Sequence, residues 1–431
     1  GSAVATTADY DTLNATIANA ANVHIGNYSG SAGFFSGDMD DLAIFNRVLT
    51  STEVSNLYTG SWPASDAVAQ DLSYTYDADG NITQINDNST TNSSKVVDYI
   101  YDDLNRLTSA SSTSARYGSN FKYNYTYDAL GNILSRTEDS TTTTYTYATS
   151  TAAYLNPHAA AAVGNYDYTY DNNGNLLTVA IGTSTQVSSN TWDYNNRVTQ
   201  AVVGSATTTY GYDPYGQRVS MTVATTSSAT TYYPTKNYNI TGSTPTKHIF
   251  LPDGTMIATI VGTGATTTVS YIHTDHLGMA NVSTNDSGEV VQLVDQYPYG
   301  TFRIDEQSGF NEQRKGISGH EYDSTTSLTY ANSRYYNGAN GRFISQDPAF
   351  INLTHLNVQL ADPQSWNSYA YARNNPLVLI DPYGNMWTPW HSSGGVGNWM
   401  GNGGFLYNVY GNNVSSLVST GRNIQQNGWT A

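Results

Sequence analysis

The sequence contains no cysteine, which excludes disulfide bonds, cysteine-ligated zinc and a thiol nucleophile. It has only five lysines and no basic run, which argues against a nucleic-acid-binding surface. No apolar stretch reaches the roughly 18 residues that would predict a transmembrane helix. These absences leave a chain whose fold must be built without disulfide cross-links and without a membrane-spanning helix.

Charge is also scarce, because charged residues make up 12% of the 431 residues and the net charge is −17. The 36 tyrosines argue against an acidic disordered chain and predict a core rich in rings whose hydroxyls reach partners. The lack of cysteine is consistent with an exported protein, extracellular or on the cell surface. The chain begins Gly-Ser-Ala-Val, without a signal-peptide pattern, so we interpret it as a fragment or processed product.

One short unit recurs along the chain and is its main signal. The unit reads aromatic, any residue, aromatic, Asp, two or three variable residues, Gly-Asn or Asn-Arg, and an apolar residue. Tyr74–Ile82 and Tyr125–Ile133 are clear copies, and a degenerate copy at Tyr145–Tyr147 fills the longest gap. The aspartates of the unit are Asp77, Asp102, Asp128, Asp171, Asp193 and Asp213.

The unit has a direct physical interpretation as a β-hairpin. Side chains alternate along a strand, so the two rings lie on one face. The aspartate then starts a turn by accepting hydrogen bonds from backbone N–H groups, and Gly or Asn tolerates a left-handed conformation. Because one hairpin cannot bury its face alone, the repeats are expected to pair into a continuous sheet.

The six ordered copies resemble the YD-repeat or Rhs family, which includes Rhs polymorphic toxins, the C component of Tc toxins and the teneurin shell. The resemblance implies an all-β fold, in which a spiralling sheet of YD-repeat hairpins forms a shell or barrel. A generic tyrosine-rich β-solenoid is the alternative.

A second block follows and resembles the Rhs-associated core, which closes the shell in this family. One departure from the family pattern is Met279-Ala280. We therefore predict four parts: residues 1–62, 63–246 with the YD repeats, 247–384 with the core, and 385–431 as a variable C-terminal segment or plug. The strings that carry the resemblance include His273–Gly278, Tyr297–Gly300, Ser318–Asp323, Leu328–Tyr336, Gly341–Pro348, Asn367–Pro376 and Asp381–Gly384.

The resemblance also implies catalysis by two Asp-Pro motifs, which in relatives form an intramolecular aspartyl protease. The pair here is Asp347 and Asp381, and Arg342 is a candidate to orient a carboxylate or the carbonyl oxygen. The expected cut lies after the second motif, near Asn385–Met386. Asp347-Pro-Ala lacks the usual glycine and Asn385 replaces the usual leucine, so the alternative is that each Asp-Pro only opens a turn.

No metal site is predicted. His273, His276 and His320 have no recognisable ligand spacing, which favours histidines in turns. Residues 1–62 contain a string, Phe35–Tyr58, that resembles the end of a laminin-G/concanavalin-like jelly roll. Its aspartates Asp38, Asp40 and Asp41 suggest Ca²⁺ only weakly, and a structural strand is favoured.

Two functions from different classes follow. The first is an exported YD-repeat shell that encloses its own C-terminal segment as its partner and releases it by autoproteolysis. The second is a structural surface filament or adhesin without catalysis, in which edge strands and aromatic faces support self-assembly or contact cell-surface glycans or proteins.

Overall fold

The computed structural model describes residues 27–28, 32–34, 69–89, 95–112, 120–147, 156–182, 185–252, 254–348, 363–385 and 388–389. The chain divides into two compact units, Gly1–Asp66 and Ala67–Ala431. In the first unit, β1 (Asn27–Tyr28) and β2 (Ala32–Phe34) pair antiparallel. The string Phe35–Tyr58 and the three candidate Ca²⁺ ligands lie outside the described residues.

The second unit is dominated by one antiparallel sheet, in which each strand pairs with the next along the chain and the sheet closes into a barrel. The predicted all-β sheet of hairpins forming a shell or barrel is confirmed. Its strands are β3 (Leu72–Tyr76), β4 (Ile82–Asp87), β5 (Lys95–Tyr101), β6 (Leu107–Ser112), β7 (Phe121–Tyr127), β8 (Ile133–Glu138), β9 (Thr141–Tyr147), β10 (Ala160–Val163), β11 (Tyr166–Tyr170), β12 (Leu176–Ile181), β13 (Thr185–Trp192), β14 (Val198–Val203), β15 (Ala206–Tyr212), β16 (Arg218–Ala224), β17 (Ser228–Thr235), β18 (Tyr238–Thr241), β19 (Thr244–Phe250), β20 (Met256–Val261), β21 (Thr268–Thr274), β22 (Ala280–Thr284), β23 (Val290–Gln296) and β24 (Phe302–Gln307).

Strand β7 shows why these sequences form one-sided strands. Phe121, Tyr123 and Tyr125 are buried, whereas Lys122 and Thr126 are exposed and Asn124 is half-buried. Rings from this strand pack edge-on and tilted against the tyrosines of 297–299, with centroids about 5 Å apart. The alternation predicted from the Tyr-x-Tyr pattern thus places one face of each hairpin in a shared core.

The repeat aspartate organises each hairpin turn. Oδ1 of Asp128 accepts the backbone N–H groups of Leu130 and Asn132, both at 2.8 Å, and Oδ2 accepts Asn132 Nδ2 at 2.8 Å. Such charge-assisted bonds are stronger than neutral ones and hold the left-handed residue of the turn in place. The same Oδ1 contacts, to the second and fourth residues ahead, occur at Asp77, Asp102, Asp171, Asp193 and Asp213.

Tyrosine hydroxyls connect one repeat to the preceding one. The ring just before the turn donates its O–H to a carbonyl at the start of the previous return strand. Because Tyr147 makes this bond, the degenerate copy at 145–147 functions structurally as a repeat. The pairs are Tyr101 with Ile82, Tyr127 with Leu107, Tyr147 with Ile133, and Tyr212 with Val198, at 2.6–2.9 Å.

The sheet passes through the predicted boundary at 246/247 without a break. Asp275 and Asn285 form the same turn as the repeat aspartates, because each Oδ1 accepts the N–H groups two and four residues ahead. In the sequence, the Asp-x-x-Gly and Asn-x-x-Gly spacing of these segments already indicates that they form the same kind of turn. The hairpin sheet therefore extends to Gln307, and the fold changes only after that residue.

The rest of the described chain forms smaller elements. Strands β25 (Glu321–Asp323), β26 (Leu328–Ala331), β27 (Arg334–Asn337) and β28 (Arg342–Phe343) make a four-stranded sheet, and β29 (Leu379–Ile380) pairs with β30 (Thr388–Pro389). The described 3-10 helices are Gly264–Thr266, Ile317–Gly319, Pro363–Trp366 and Ala372–Asn374. No helix in the described ranges is long and apolar enough to cross a membrane.

The four-stranded sheet packs against the barrel wall through an apolar and a charged contact. Leu328 and Tyr335 share a buried cluster with Val198 of the wall. The buried guanidinium of Arg218 contacts Glu321 and Asp323 at 2.7 and 2.9 Å, along with the ring of a tyrosine in β26. The side chains of Arg218 and Asp323 are almost fully buried, so loss of either one would leave a buried charge uncompensated.

Candidate active site

The two Asp-Pro motifs lie side by side in the structure. Asp347 follows β28, and its backbone N–H donates to the Ser368 carbonyl at 3.0 Å. Asp381 directly follows β29. The Oδ2 atoms of both aspartates accept from Nη2 of Arg334, at 3.0 and 3.1 Å, so at most about 6 Å separates them. One water molecule can bridge two oxygens at that separation.

Arg334 is the residue that gathers this site. Its side chain is 2% exposed and its guanidinium stacks on the Phe343 ring, 3.5 Å from the centroid. Nη1 donates to the Ser368 carbonyl at 2.9 Å, and Nε donates to the Gly384 carbonyl. The cation offsets the repulsion that two neighbouring carboxylates would otherwise feel.

Asp381 uses its two carboxylate oxygens differently. Oδ1 accepts the Asn385 N–H at 3.0 Å, just as Oδ1 of Asp213 accepts the Gln217 N–H at 2.8 Å in the other Asp-Pro-Tyr-Gly string of the chain. Oδ2 instead faces Arg334, beside the other aspartate. The interpretation as a simple turn residue therefore accounts for Oδ1, whereas Oδ2 is bound by Arg334.

The peptide group after the second motif is held within this site. Arg334 binds the Gly384 carbonyl, and Asp381 binds the N–H of Asn385. Gly384 has φ +69°, and a Cβ on it would lie 2.1 Å from the Ala331 carbonyl oxygen, so only glycine fits. Of the predicted cleavage pair, Asn385 is thus in the site and Met386 lies outside the described residues.

Arg342 lies elsewhere, which corrects its assignment as the arginine that orients a carboxylate of the pair. Its guanidinium donates to the Tyr147 hydroxyl, to the His158 carbonyl and to the side-chain oxygens of Asn132 and Asn367. The physical reason is its place on β28, where it faces the third and fourth hairpins. Sequence reasoning missed Arg334, although it lies within the quoted string Leu328–Tyr336.

The three histidines considered as metal ligands are dispersed. His273 Nε2 contacts Thr284 Oγ1 at 3.1 Å, whereas the Nε2 atoms of His276 and His320 contact the carbonyls of Leu377 and Asp381. In the part of the chain that the structure describes, no three His, Asp or Glu side chains form a metal-binding group. Burial lowers the pKa of His320, so its neutral ring donates from Nε2 to the Asp381 carbonyl.

The Teneurin YD-shell family model matches residues 64–377 of the chain. The chain belongs to this family. A Concanavalin A-like lectin/glucanases superfamily model matches residues 1–55. Both resemblances found in the sequence are thereby confirmed.

The YD-shell chain is similar to a toxin subunit and to a nuclease. It is 27% identical over 376 residues to toxin subunit YenC1 of Yersinia entomophaga, covering 74% of this chain and 37% of that protein. It is 28% identical over 332 residues to the tRNA3(Ser)-specific nuclease WapA of Bacillus spizizenii, covering 73% and 11%. The chain therefore spans well under half the length of these relatives.

Solved structures show the same fold. The Photorhabdus luminescens Tc holotoxin pore aligns with a TM-score of 0.60 and 21% identity, over 76% of this chain and 17% of that one. The TcdB2-TccC3-Cdc42 crystal structure aligns with a TM-score of 0.55 and 19% identity, over 75% and 17%. At these identities the likeness shows the YD-shell fold alone.

The contacts of Arg342 predict an acid-sensitive point in the YD-shell. Burial and the Arg342 charge lower the pKa of His158 to about 4, against an opposing effect of Asp128. Because an unfolded histidine titrates near 6.5, the unfolded state takes up the proton first, and the free energy of unfolding falls as pH drops from about 6.5 to 4. The partly exposed ring limits this loss to about 1 kcal/mol.

Urea unfolding at pH 7 and pH 4.5 measures this effect. We expect His158→Gln to lose less stability between these two pH values than the wild type does. An identical loss in both proteins would contradict the assignment.

Proposed function

We propose that this chain is the shell-forming part of an exported toxin-type protein that encloses its own C-terminal segment. The support is the closed barrel of YD hairpins together with relatives described as a toxin subunit and a nuclease. In such a protein the variable segment 385–431 is the cargo, and the shell keeps it apart from its surroundings until delivery. Extracellular or cell-surface delivery is part of the same proposal.

We further propose that the Asp347–Asp381 pair cuts the chain next to the second Asp-Pro motif. One carboxylate accepts a proton from a water molecule as its oxygen attacks the peptide carbon. The other carboxyl group, protonated, gives its proton to the leaving nitrogen, so that one C–N bond breaks as a C–O bond forms. The observation that carries this proposal is the single guanidinium of Arg334, which binds both carboxylates and the Gly384 carbonyl.

Arg334 supplies electrostatic stabilisation in this mechanism. A donor on a carbonyl oxygen favours the tetrahedral intermediate, in which that oxygen carries negative charge. Because the arginine is buried, water does not screen its charge. The peptide group that contacts both Arg334 and Asp381 is Gly384–Asn385, one bond before the junction that the motif predicted. The two junctions are therefore the candidates for the cut.

Intact-mass measurement of the purified chain over several days tests the proposal. A cut yields an N-terminal fragment that ends at Gly384 or at Asn385, and these differ by the mass of one asparagine residue. A single species of full mass throughout would show that the pair is structural. Size-exclusion chromatography with and without denaturant then tells whether a released segment stays inside the shell, because an enclosed segment elutes with the barrel until unfolding.

The filament or adhesin alternative depended on sheet edges. The large sheet closes on itself, so it offers no edge strand for addition of another chain. The geometry therefore supports the shell function better than assembly through this sheet. A monodisperse monomer in solution is the corresponding expectation.

A further inference from the structure

A second network joins the barrel wall to the aspartate pair. Oδ1 of Asn132, in the third hairpin turn, accepts three hydrogen bonds from different parts of the chain. The donors are Asn367 Nδ2 at 2.9 Å, His158 Nδ1 at 3.1 Å and Arg342 Nη2 at 3.3 Å. Arg342 also donates to Asn367 Oδ1 at 3.0 Å, so these two residues and Asn132 form a closed triangle. Asn132 is 1% exposed, and its bonds are desolvated.

The network continues directly from Asn367 into the site. The next residue, Ser368, has a carbonyl that accepts from the Asp347 N–H at 3.0 Å and from Arg334 Nη1 at 2.9 Å. One backbone carbonyl thus fixes the first aspartate relative to the arginine that binds both carboxylates. Since Asn367 is held by Asn132 and Arg342, the position of this carbonyl depends on the folded third hairpin.

Asn175 shows that these contacts are more than the ordinary role of a turn asparagine. Like Asn132, it is 1% exposed, and its Nδ2 donates to Oδ2 of the aspartate that starts its turn, Asp171, at 2.9 Å. Its second Nδ2 contact is Asn196 of the next hairpin, so its contacts stay within the wall. Asn132 and Asn175 make the same hydrogen bond to the aspartate of their own turn. Asn132 also bonds to Arg342 and Asn367, whereas Asn175 bonds to the next hairpin.

We propose that Asn132, Arg342 and Asn367 are positioning residues that place the Asp347–Arg334–Asp381 group only when the barrel wall around the third hairpin has folded. The proposal rests on the proposed autoproteolysis and adds a condition to it: cleavage follows closure of the shell wall. A chain with an unformed third hairpin lacks the acceptor for Asn367 and Arg342. Such a chain keeps its C-terminal segment attached.

Hydrogen exchange and cleavage, measured together, test this coupling in the full chain. The variants are Asn132→Ala, the matched control Asn175→Ala, and Asn367→Ala, which removes the other partner of the Asn132–Asn367 hydrogen bond. Exchange at the Asp347 N–H reports the order of the site whether or not the chain cuts itself. Intact mass after refolding gives the cleavage rate.

We expect Asn132→Ala to speed exchange at Asp347 and to slow cleavage by roughly tenfold, as loss of buried hydrogen bonds implies. Asn175→Ala should leave both within about twofold of the wild type, and Asn367→Ala should resemble Asn132→Ala. Equal exchange in Asn132→Ala and Asn175→Ala, or wild-type behaviour of Asn367→Ala, would overturn the proposal. Faster exchange in Asn132→Ala but not in Asn175→Ala, in a protein that never cuts itself, would uphold the coupling and refute the proteolysis instead.

Discussion

Replacement of Asp381 by asparagine is expected to leave the chain as a single uncut species, with a cleavage rate at least about a hundredfold below that of the wild type. The amide keeps an oxygen that can accept the Asn385 N–H, so the turn survives. It cannot act as base or acid, and it removes the charge that faces Arg334. Intact mass as a function of time after refolding measures the loss.

The control for this substitution is Asp213→Asn, in the same Asp-Pro-Tyr-Gly sequence. Oδ1 of Asp213 makes the same turn bonds, to the N–H groups of Tyr215 and Gln217. We expect this variant to be cut at the wild-type rate, since it alters a turn without altering the pair. Cleavage of Asp381→Asn at the same rate as Asp213→Asn would refute the catalytic assignment. A cooperative thermal transition in both variants shows that each has folded.

Replacement of Gly384 by alanine is expected to destabilise the protein by about 3–5 kcal/mol and to abolish cleavage. The new Cβ would lie 2.1 Å from the Ala331 oxygen and 3.0 Å from the Arg334 nitrogen, both of which are backbone atoms that cannot rotate away. The carbonyl that Arg334 binds would have to move with them. Denaturant unfolding gives the stability, and mass spectrometry gives the cleavage.

Gly216→Ala separates the cost of the left-handed conformation from the cost of the close contact with Ala331. Gly216 occupies the equivalent position of the Asp213 turn with φ +87°, and the nearest atom to its added Cβ is Arg197 Nη1 at 4.0 Å. The left-handed conformation alone should cost about 1–2 kcal/mol there. Equal destabilisation by the two alanines would mean that the close approach to Ala331 is relieved by movement of the chain, contrary to the prediction.

The sequence was sufficient for the fold because its information is local. Each Tyr-x-Tyr-Asp unit specifies a strand face, a turn start and a left-handed residue within about ten positions, and pairing of successive hairpins then follows from the need to bury one face. The same logic found the aspartates that begin the turns. The repeat pattern predicted hairpins only as far as residue 246, because the turns at Asp275 and Asn285 keep the turn spacing but lack the preceding aromatic pair.

The site depended on information that is not local. Asp347 and Asp381 could be paired through their motifs, but the arginine between them could not be chosen, since Arg334 and Arg342 both precede the first motif, by 13 and 5 residues. A two-residue strand, β28, turns Arg342 towards Asn132 of the wall, whereas β27 turns Arg334 towards both carboxylates. The hairpins, their order and the two aspartates could all be read from local sequence patterns. Which guanidinium contacts the two aspartates became clear only in the folded chain, because Arg342 is held by Asn132, 210 residues away.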